Sequence, residues 1–149
     1  MSGEHAVWAE RAATALADAG YRRGGARRAI LDVLAGQDCA LTVAELEDQL
    51  AARGRAVSRA SVYRVMEELE QIGMVQRVEV GTGLARYEAV GVGSAHHHHL
   101  VCERCGRIEP FHDDALELAI ERVSQAVPLV VTEHEIVIRG ACRRCAPPN

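Results

Sequence analysis

Apolar positions recur at helical spacing through the first half of the chain and then give way to shorter, strand-like runs. Residues 4–19 are Ala-rich and predict a first helix, punctuated by Gly20 and then Gly24-Gly25. A second helix is expected over about Ala26–Ala35, with Ile30, Leu31 and Leu34 as its apolar stripe and Gly36 at its end. Thr42-Val43-Ala44-Glu45 has the form of a capping box, so a third helix starts there. It carries Leu46 and Leu50 one turn apart and ends at Arg53-Gly54. Ser58 caps a fourth helix, in which Val62, Val65, Met66, Leu69 and Ile72 form one buried stripe before Gly73 stops it. Met74–Val80 and Leu84–Tyr87 flank Gly81-Thr82-Gly83, the pattern of a β-hairpin.

Gly91-Val92-Gly93-Ser94 reads as a short linker. It suggests a first domain over residues 1–90, a hinge over 91–95 and a second domain over 96–149. In the second, a short strand is expected through the histidines and another around Arg107–Phe111. A helix follows from about Asp113 to Ala126, its first turn acidic as a helix N-terminus favours. Pro128 breaks the pattern, and Leu129–Arg139 reads as a strand or hairpin rich in β-branched residues. The fold class is α+β, with an N-terminal winged helix and a C-terminal α/β domain.

Helices followed by a glycine-tipped hairpin make the winged-helix order, in which the last helix enters the DNA major groove by its N-terminal side chains. Here those are Arg59, Ser61, Tyr63 and Arg64. A solvated helix face is the plain alternative, and charge distribution argues against it. The net charge is −4, yet all 17 basic residues are Arg. Arg22, Arg23, Arg27 and Arg28 form one cluster, and Arg53, Arg55, Arg59 and Arg64 form another with no acid between them. A locally basic face on an acidic protein still binds phosphate, and arginine also suits bidentate base contacts. Apolar residues are 48% of the 149 and aromatics 3%, so the core must rest on Leu, Val, Ile and Ala. No apolar run approaches a membrane span and no signal pattern opens the chain, so a cytoplasmic location is expected.

The second half carries the metal chemistry. His96-His97-His98-His99 runs directly into Cys102-Glu103-Arg104-Cys105, and a second pair, Cys142-Arg143-Arg144-Cys145, lies near the C-terminus. Two Cys-x-x-Cys pairs point to one tetrahedral structural zinc more than to a redox dithiol. In a strand, side chains alternate faces, so His96 and His98 would point one way and His97 and His99 the other. One run could thus feed two sites, completed by carboxylates and histidine elsewhere: Glu88, Glu117, Glu121 and His134 are candidates. Cys39, the odd cysteine, reads by default as a core thiol. Two other classes compete: a zinc-dependent hydrolase, and a zinc-storage protein or metallochaperone without DNA binding. Neither H-E-x-x-H nor the deaminase H-x-E with P-C-x-x-C is present, and storage would leave the winged-helix half unexplained.

Ser61-Val62-Tyr63-Arg64, Tyr87-Glu88, the histidine run joined to Cys102-x-x-Cys105, and Cys142 with Cys145 together resemble the ferric uptake regulator family of metalloregulatory repressors. The resemblance covers nearly all the chain after residue 20. It implies a homodimeric, metal-dependent repressor that binds a two-fold-symmetric double-stranded DNA operator and controls metal homeostasis or stress genes. It implies structural Zn²⁺ on the four cysteines, and a hinge sensory site from Glu88, His97 and His99. A further site in the dimerisation domain would use His96, His98, Glu117 and His134. Tyr63 and Arg64 fall on base-contacting positions and Arg22 on a basic residue near the backbone or minor groove, with Arg27 expected at phosphate. The departures bear on the metal. Iron and peroxide sensors usually supply a histidine near position 40, where Cys39-Ala40 stand, which makes Cys39 a candidate substitute ligand beside its default reading as a core thiol. Zinc sensors usually have cysteine at Val90 and aspartate at Gln76, and peroxide sensors a carboxylate at Pro110. The usual Thr-x-x-Arg is Gly24-Gly25-Ala26-Arg27. The regulatory ion is thus open among Zn²⁺, Fe²⁺, Mn²⁺ and Ni²⁺, and a Cys-Glu-His-His donor set favours zinc.

Overall fold

The computed structural model describes residues 3–22, 24–81, 83–92 and 96–146. Arg23, the hairpin-tip Thr82, the linker residues Gly93 and Ser94, and the tail 147–149 lie outside the described residues. The chain divides into two compact units between residues 95 and 96.

The first unit opens with α1 (Gly3–Asp18) and α2 (Gly25–Ala35), followed by the two-residue strand β1 (Leu41–Thr42) and α3 (Val43–Ala52). α4 (Arg59–Gln71), β2 (Val75–Val78) and β3 (Arg86–Ala89) complete it. The capping box forms: Glu45 N–H donates to Thr42 Oγ1 at 3.1 Å, and the Glu45 carboxylate accepts from Thr42 N–H at 2.8 Å. Ser58 Oγ accepts from Ser61 N–H at the start of α4. α4 ends where Gly73 turns left-handed (φ 69°) and Met74 N–H reaches back to Leu69 O at 2.9 Å. The apolar stripes meet in one core with Ile30, Leu31, Leu34, Leu46, Leu50, Val62, Met66 and Leu69 at its centre. Trp8 joins them from α1 at 1% exposure, its indole N–H donating to Val90 O at 2.9 Å. That bond fixes the first helix against the end of the wing.

The strands form an antiparallel sheet in the order β1-β3-β2. β1 was not legible in sequence: two residues are too few to show a period, and they pair only because β3 offers an edge. Its register, Leu41 opposite Tyr87 and Thr42 opposite Arg86, brings the segment between α2 and β1 toward Glu88.

The second unit holds β4 (His98–Cys102), β5 (Ile108–Phe111), α5 (Asp114–Ala126) and β6 (Val137–Gly140). Its sheet runs β5-β4-β6, antiparallel between β4 and β5 and parallel between β4 and β6, with α5 in the crossover. Asp113 caps α5 by accepting from Leu116 N–H at 2.8 Å. The strand expected over Leu129–Arg139 is corrected to Val137–Gly140. β4 has five residues and pairs with β6 from His99 to Cys102, so Val130, Val131 and Thr132 meet no strand partner among the described residues. None of the described side chains of α5 is buried, and Leu118 and Val123 are about three-fifths exposed.

Candidate metal centres and nucleic-acid interface

The four cysteines converge because of the parallel pairing. Cys102 ends β4 opposite Gly140, two residues before Cys142. Each Cys-x-x-Cys closes as a tight turn: Gly106 N–H donates to Cys102 O and Cys145 N–H to Cys142 O, both at 2.8 Å. The sulfur atoms lie within 4.8 Å of one another, with Cys105 and Cys142 Sγ 3.8 Å apart, and none is in a disulfide. A tetrahedral zinc with bonds of about 2.3 Å spaces its sulfurs about 3.8 Å apart, so the cradle fits the ion.

Electrostatics point the same way. Cys142 N–H donates to Cys102 Sγ at 3.3 Å, and this bond chiefly lowers the Cys102 thiol to about 6. Cys145, hydrogen-bonded first to Cys142 and then to Cys105, is pushed up to about 12. Four crowded thiols cannot all ionise without a cation among them. Arg104 closes the site by donating to Cys145 O at 2.9 Å.

A second cluster lies wholly in this unit. His96, His98, Glu117 and His134 bring their donor atoms within 4.8 Å of one another. Glu117 Oε1 is 2.7 Å from His98 Nε2, and its Oε2 is 3.0 Å from His134 Nε2. His96 Nε2 and His134 Nε2 are 3.0 Å apart. Loss of solvent opposes ionisation of Glu117, but hydrogen bonds from His98 and His134 outweigh it and hold the carboxyl below its usual range. Burial, then the nearby His134, lowers His96. Both shifts leave a carboxylate facing a neutral imidazole, the protonation states a divalent ion requires. Glu121 is not among these donors; it accepts from Gln125 one turn further along α5.

The odd histidines separate from the even ones, although β4 begins only at His98. His97 and His99 have ring centroids 5.1 Å apart, and their donor nitrogens are within 4.8 Å of one another. His99 Nδ1 is 3.2 Å from the Glu135 carboxylate, a partner not singled out in sequence because one surface glutamate carries no distinguishing pattern.

In the first unit, Cys39 Sγ and a Glu88 carboxylate oxygen also lie within 4.8 Å of each other. Two unforeseen contacts hold this pair. Gln76, opposite Glu88 across β2 and β3, donates to Glu88 Oε1. Arg86, two residues along β3, is buried and donates to Ala40 O at 3.2 Å and to Glu45 at 2.9 Å. The residue after Cys39 and the cap of α3 are thus tied to one guanidinium.

On α4, Tyr63 and Arg64 are exposed. Arg59 is occupied by Glu47 of α3 at 2.6 Å, and Ser61 by the Ser58 cap. Arg22 is exposed. Arg27 is not: it pairs with Glu68 of α4, donates to Arg22 O and lies over the Tyr21 ring.

A model of the ferric uptake regulator family matches residues 18–139. The chain belongs to the ferric uptake regulator family. A ferric uptake regulation protein of Vibrio vulnificus is 33% identical over 130 residues, 86% of this chain and 85% of the relative. That of Bacillus subtilis is 32% identical over 115 residues, 76% of this chain and 72% of the relative. Among solved structures, the Vibrio cholerae ferric uptake regulator matches with a TM-score of 0.74 at 32% identity, over 87% of this chain and 98% of that one. The Helicobacter pylori regulator matches the fold with a TM-score of 0.80 at 23% identity, over 95% and 93%. This Fur-family chain is therefore a metal-dependent, DNA-binding transcription regulator and not an enzyme. Among the described residues no helix is long and apolar enough to cross a membrane.

Proposed function

We propose that the protein is a cytoplasmic homodimeric repressor whose grip on a two-fold-symmetric operator is set by metal at a hinge site of Cys39, Glu88, His97 and His99. The observation that carries this reading is that each unit presents two convergent donors: Cys39 with Glu88, and His97 with His99. Four donors including a thiolate and two imidazoles suit zinc, with Fe²⁺, Mn²⁺ and Ni²⁺ as competitors. Metal joining the two pairs would set the angle between the units, and so the spacing of two recognition helices over two half-sites. The Cys₄ cradle would hold structural zinc, and the cluster around Glu117 a further ion.

Dimerisation is supported by α5, which has no buried side chain among those described, and by Leu129 and Val130, also exposed. A helix with this much apolar surface needs a partner. For DNA, Tyr63 and Arg64 are positioned to read bases, with Arg59 and Ser61 at the same helix end. Arg22 is free to meet phosphate. Arg27 would act indirectly, by holding α2 against α4. The test is metal-stripped protein titrated with Zn²⁺, Fe²⁺, Mn²⁺ and Ni²⁺ and read out as affinity for the promoter beside its own gene. A Zn²⁺ response at the lowest free concentration supports the reading; metal-independent binding contradicts it.

A further inference from the structure

The start of α4 carries an arginine that is held along one edge only. Arg59, the first residue of the helix, donates through both Nε and Nη2 to a single oxygen of Glu47 on α3, at 2.9 and 2.6 Å. The Glu47 side chain is 20% exposed and that of Arg59 66%, so the carboxylate is the fixed partner and the guanidinium the presented one. A guanidinium carries its N–H donors in a rigid planar fork. These two bonds engage the edge formed by Nε and Nη2. The outer edge, Nη1 with the remaining Nη2 hydrogen, meets no protein acceptor among the described residues.

An exposed ion pair of this kind contributes little to stability. Its consequence is direction. Arg59 stands one helical turn before Tyr63, so the two side chains share one stripe of α4. Tyr63 is exposed, whereas Val62, Val65, Met66 and Leu69 are buried. The outer edge of Arg59 is therefore presented on the open side of the helix, beside Tyr63. In the major groove guanine offers two neighbouring acceptors, O6 and N7, which match two N–H donors of one arginine edge. Adenine offers one acceptor beside a donor and cannot take both. A side chain already ordered also loses less freedom when it binds.

We propose that Arg59 reads a guanine in each half-site through its outer edge, and that Glu47 is a positioning residue that holds the guanidinium end-on to that base. This rests on the reading that α4 enters the major groove with Tyr63 and Arg64. Glu47 then has two effects of opposite sign. As an acid near DNA it repels phosphate and weakens binding to every sequence alike. As a brace it strengthens binding only where the guanine is present. A carboxylate that merely balances the charge of Arg59 has the first effect alone.

The test is selection of sites from random double-stranded DNA by the full-length protein, loaded with whichever of Zn²⁺, Fe²⁺, Mn²⁺ and Ni²⁺ gives the tightest binding. The parent should enrich a two-fold-related site with a guanine in each half-site that Arg59→Ala no longer requires. Replacing that guanine by adenine should weaken the parent by about 5–150-fold, the scale of one bidentate contact, and leave Arg59→Ala unaffected. Arg59→Lys should not restore the preference, because an ammonium lacks the planar fork. Glu47→Ala should lose most of the preference while binding random DNA more tightly. Glu47→Gln, which keeps a carbonyl acceptor for Arg59, should retain more of the preference than Glu47→Ala. Tighter binding of all DNA by Glu47→Ala with the guanine preference intact overturns the positioning role. Uniform weakening of all sequences by Arg59→Ala assigns Arg59 to phosphate and overturns the base contact. If the parent enriches no site with any of these ions, or if Tyr63→Ala and Arg64→Ala select the same site as the parent, the reading of α4 itself fails and this inference falls with it.

Discussion

Single side chains already divide into those that bind and those that brace. Cys102 and Cys145 carry opposite shifts for one reason: a thiol receiving a backbone N–H ionises early, and one crowded by other sulfurs ionises late. Zinc uptake by the stripped chain near neutral pH should therefore release fewer protons than the four thiols carry, measurable by calorimetry in buffers of different ionisation enthalpy. Four protons would show that Cys102 is not ionised beforehand. The Cys102 thiol is depressed when folded, so it favours the folded, metal-free state above its unfolded value near 9. That contribution is lost as pH falls through about 6. Cys145 is raised, so its contribution has the opposite sense, present below its unfolded value and lost on ionisation above it. A second residue-scale contrast lies in the arginines. Arg64→Ala should cost about 1–3 kcal/mol of operator binding and relax one base preference, with an unchanged melting temperature. Arg22→Ala should weaken all DNA sequences alike and flatten the salt slope.

At the level of elements, the ties between helices decide whether α4 is presented at all. Arg27–Glu68 joins α2 to α4, with both side chains mostly buried (14% and 12% exposed). Arg27→Ala should lower stability by about 1–3 kcal/mol, visible in denaturant midpoints, because it leaves Glu68 and the Arg22 carbonyl without their donor. A stable variant with a flattened salt slope would return Arg27 to the phosphate role expected from its place in a basic cluster. The helices themselves were legible: Thr42 with Glu45, Ser58 and Asp113 act locally, and a local signal survives in sequence. What joins them was not. Trp8 to Val90, Arg86 to Ala40 and Glu45, and Gln76 to Glu88 are long-range pairings of ordinary residue types. The segment before Val137 misled for the converse reason. β-branched residues record a willingness to be a strand, and a strand also needs a partner edge. Alternation of the histidines anticipated the two donor groups, while the approach of Glu135 to His99 is a long-range contact that no spacing rule reveals.

For the whole molecule, the two proposed kinds of metal site predict two kinds of failure. The Cys₄ cradle joins β4 to the turn after β6, so a zinc held there would be folding free energy for the second unit. Cys102→Ser should lose zinc and dimer together, checked by metal analysis and sedimentation; full zinc content with a normal melting temperature would remove the Cys₄ assignment. The hinge site should fail differently, leaving a folded zinc-containing dimer that no longer responds. A ligand shifts an equilibrium only by its differential affinity for the two states, and a coupling of about 1–3 kcal/mol changes DNA affinity roughly 5–150-fold.

The central claim is that metal bridging Cys39 and Glu88 to His97 and His99 sets DNA affinity. The measurement that tests it most directly is operator affinity of His97→Ala across a zinc titration, beside the parent protein. The account predicts a parent that tightens on the operator as zinc rises, and a variant that keeps its structural zinc and its dimer but gives a flat titration. A variant response equal to the parent's would contradict the account and move the sensor to the cluster of His96, His98, Glu117 and His134.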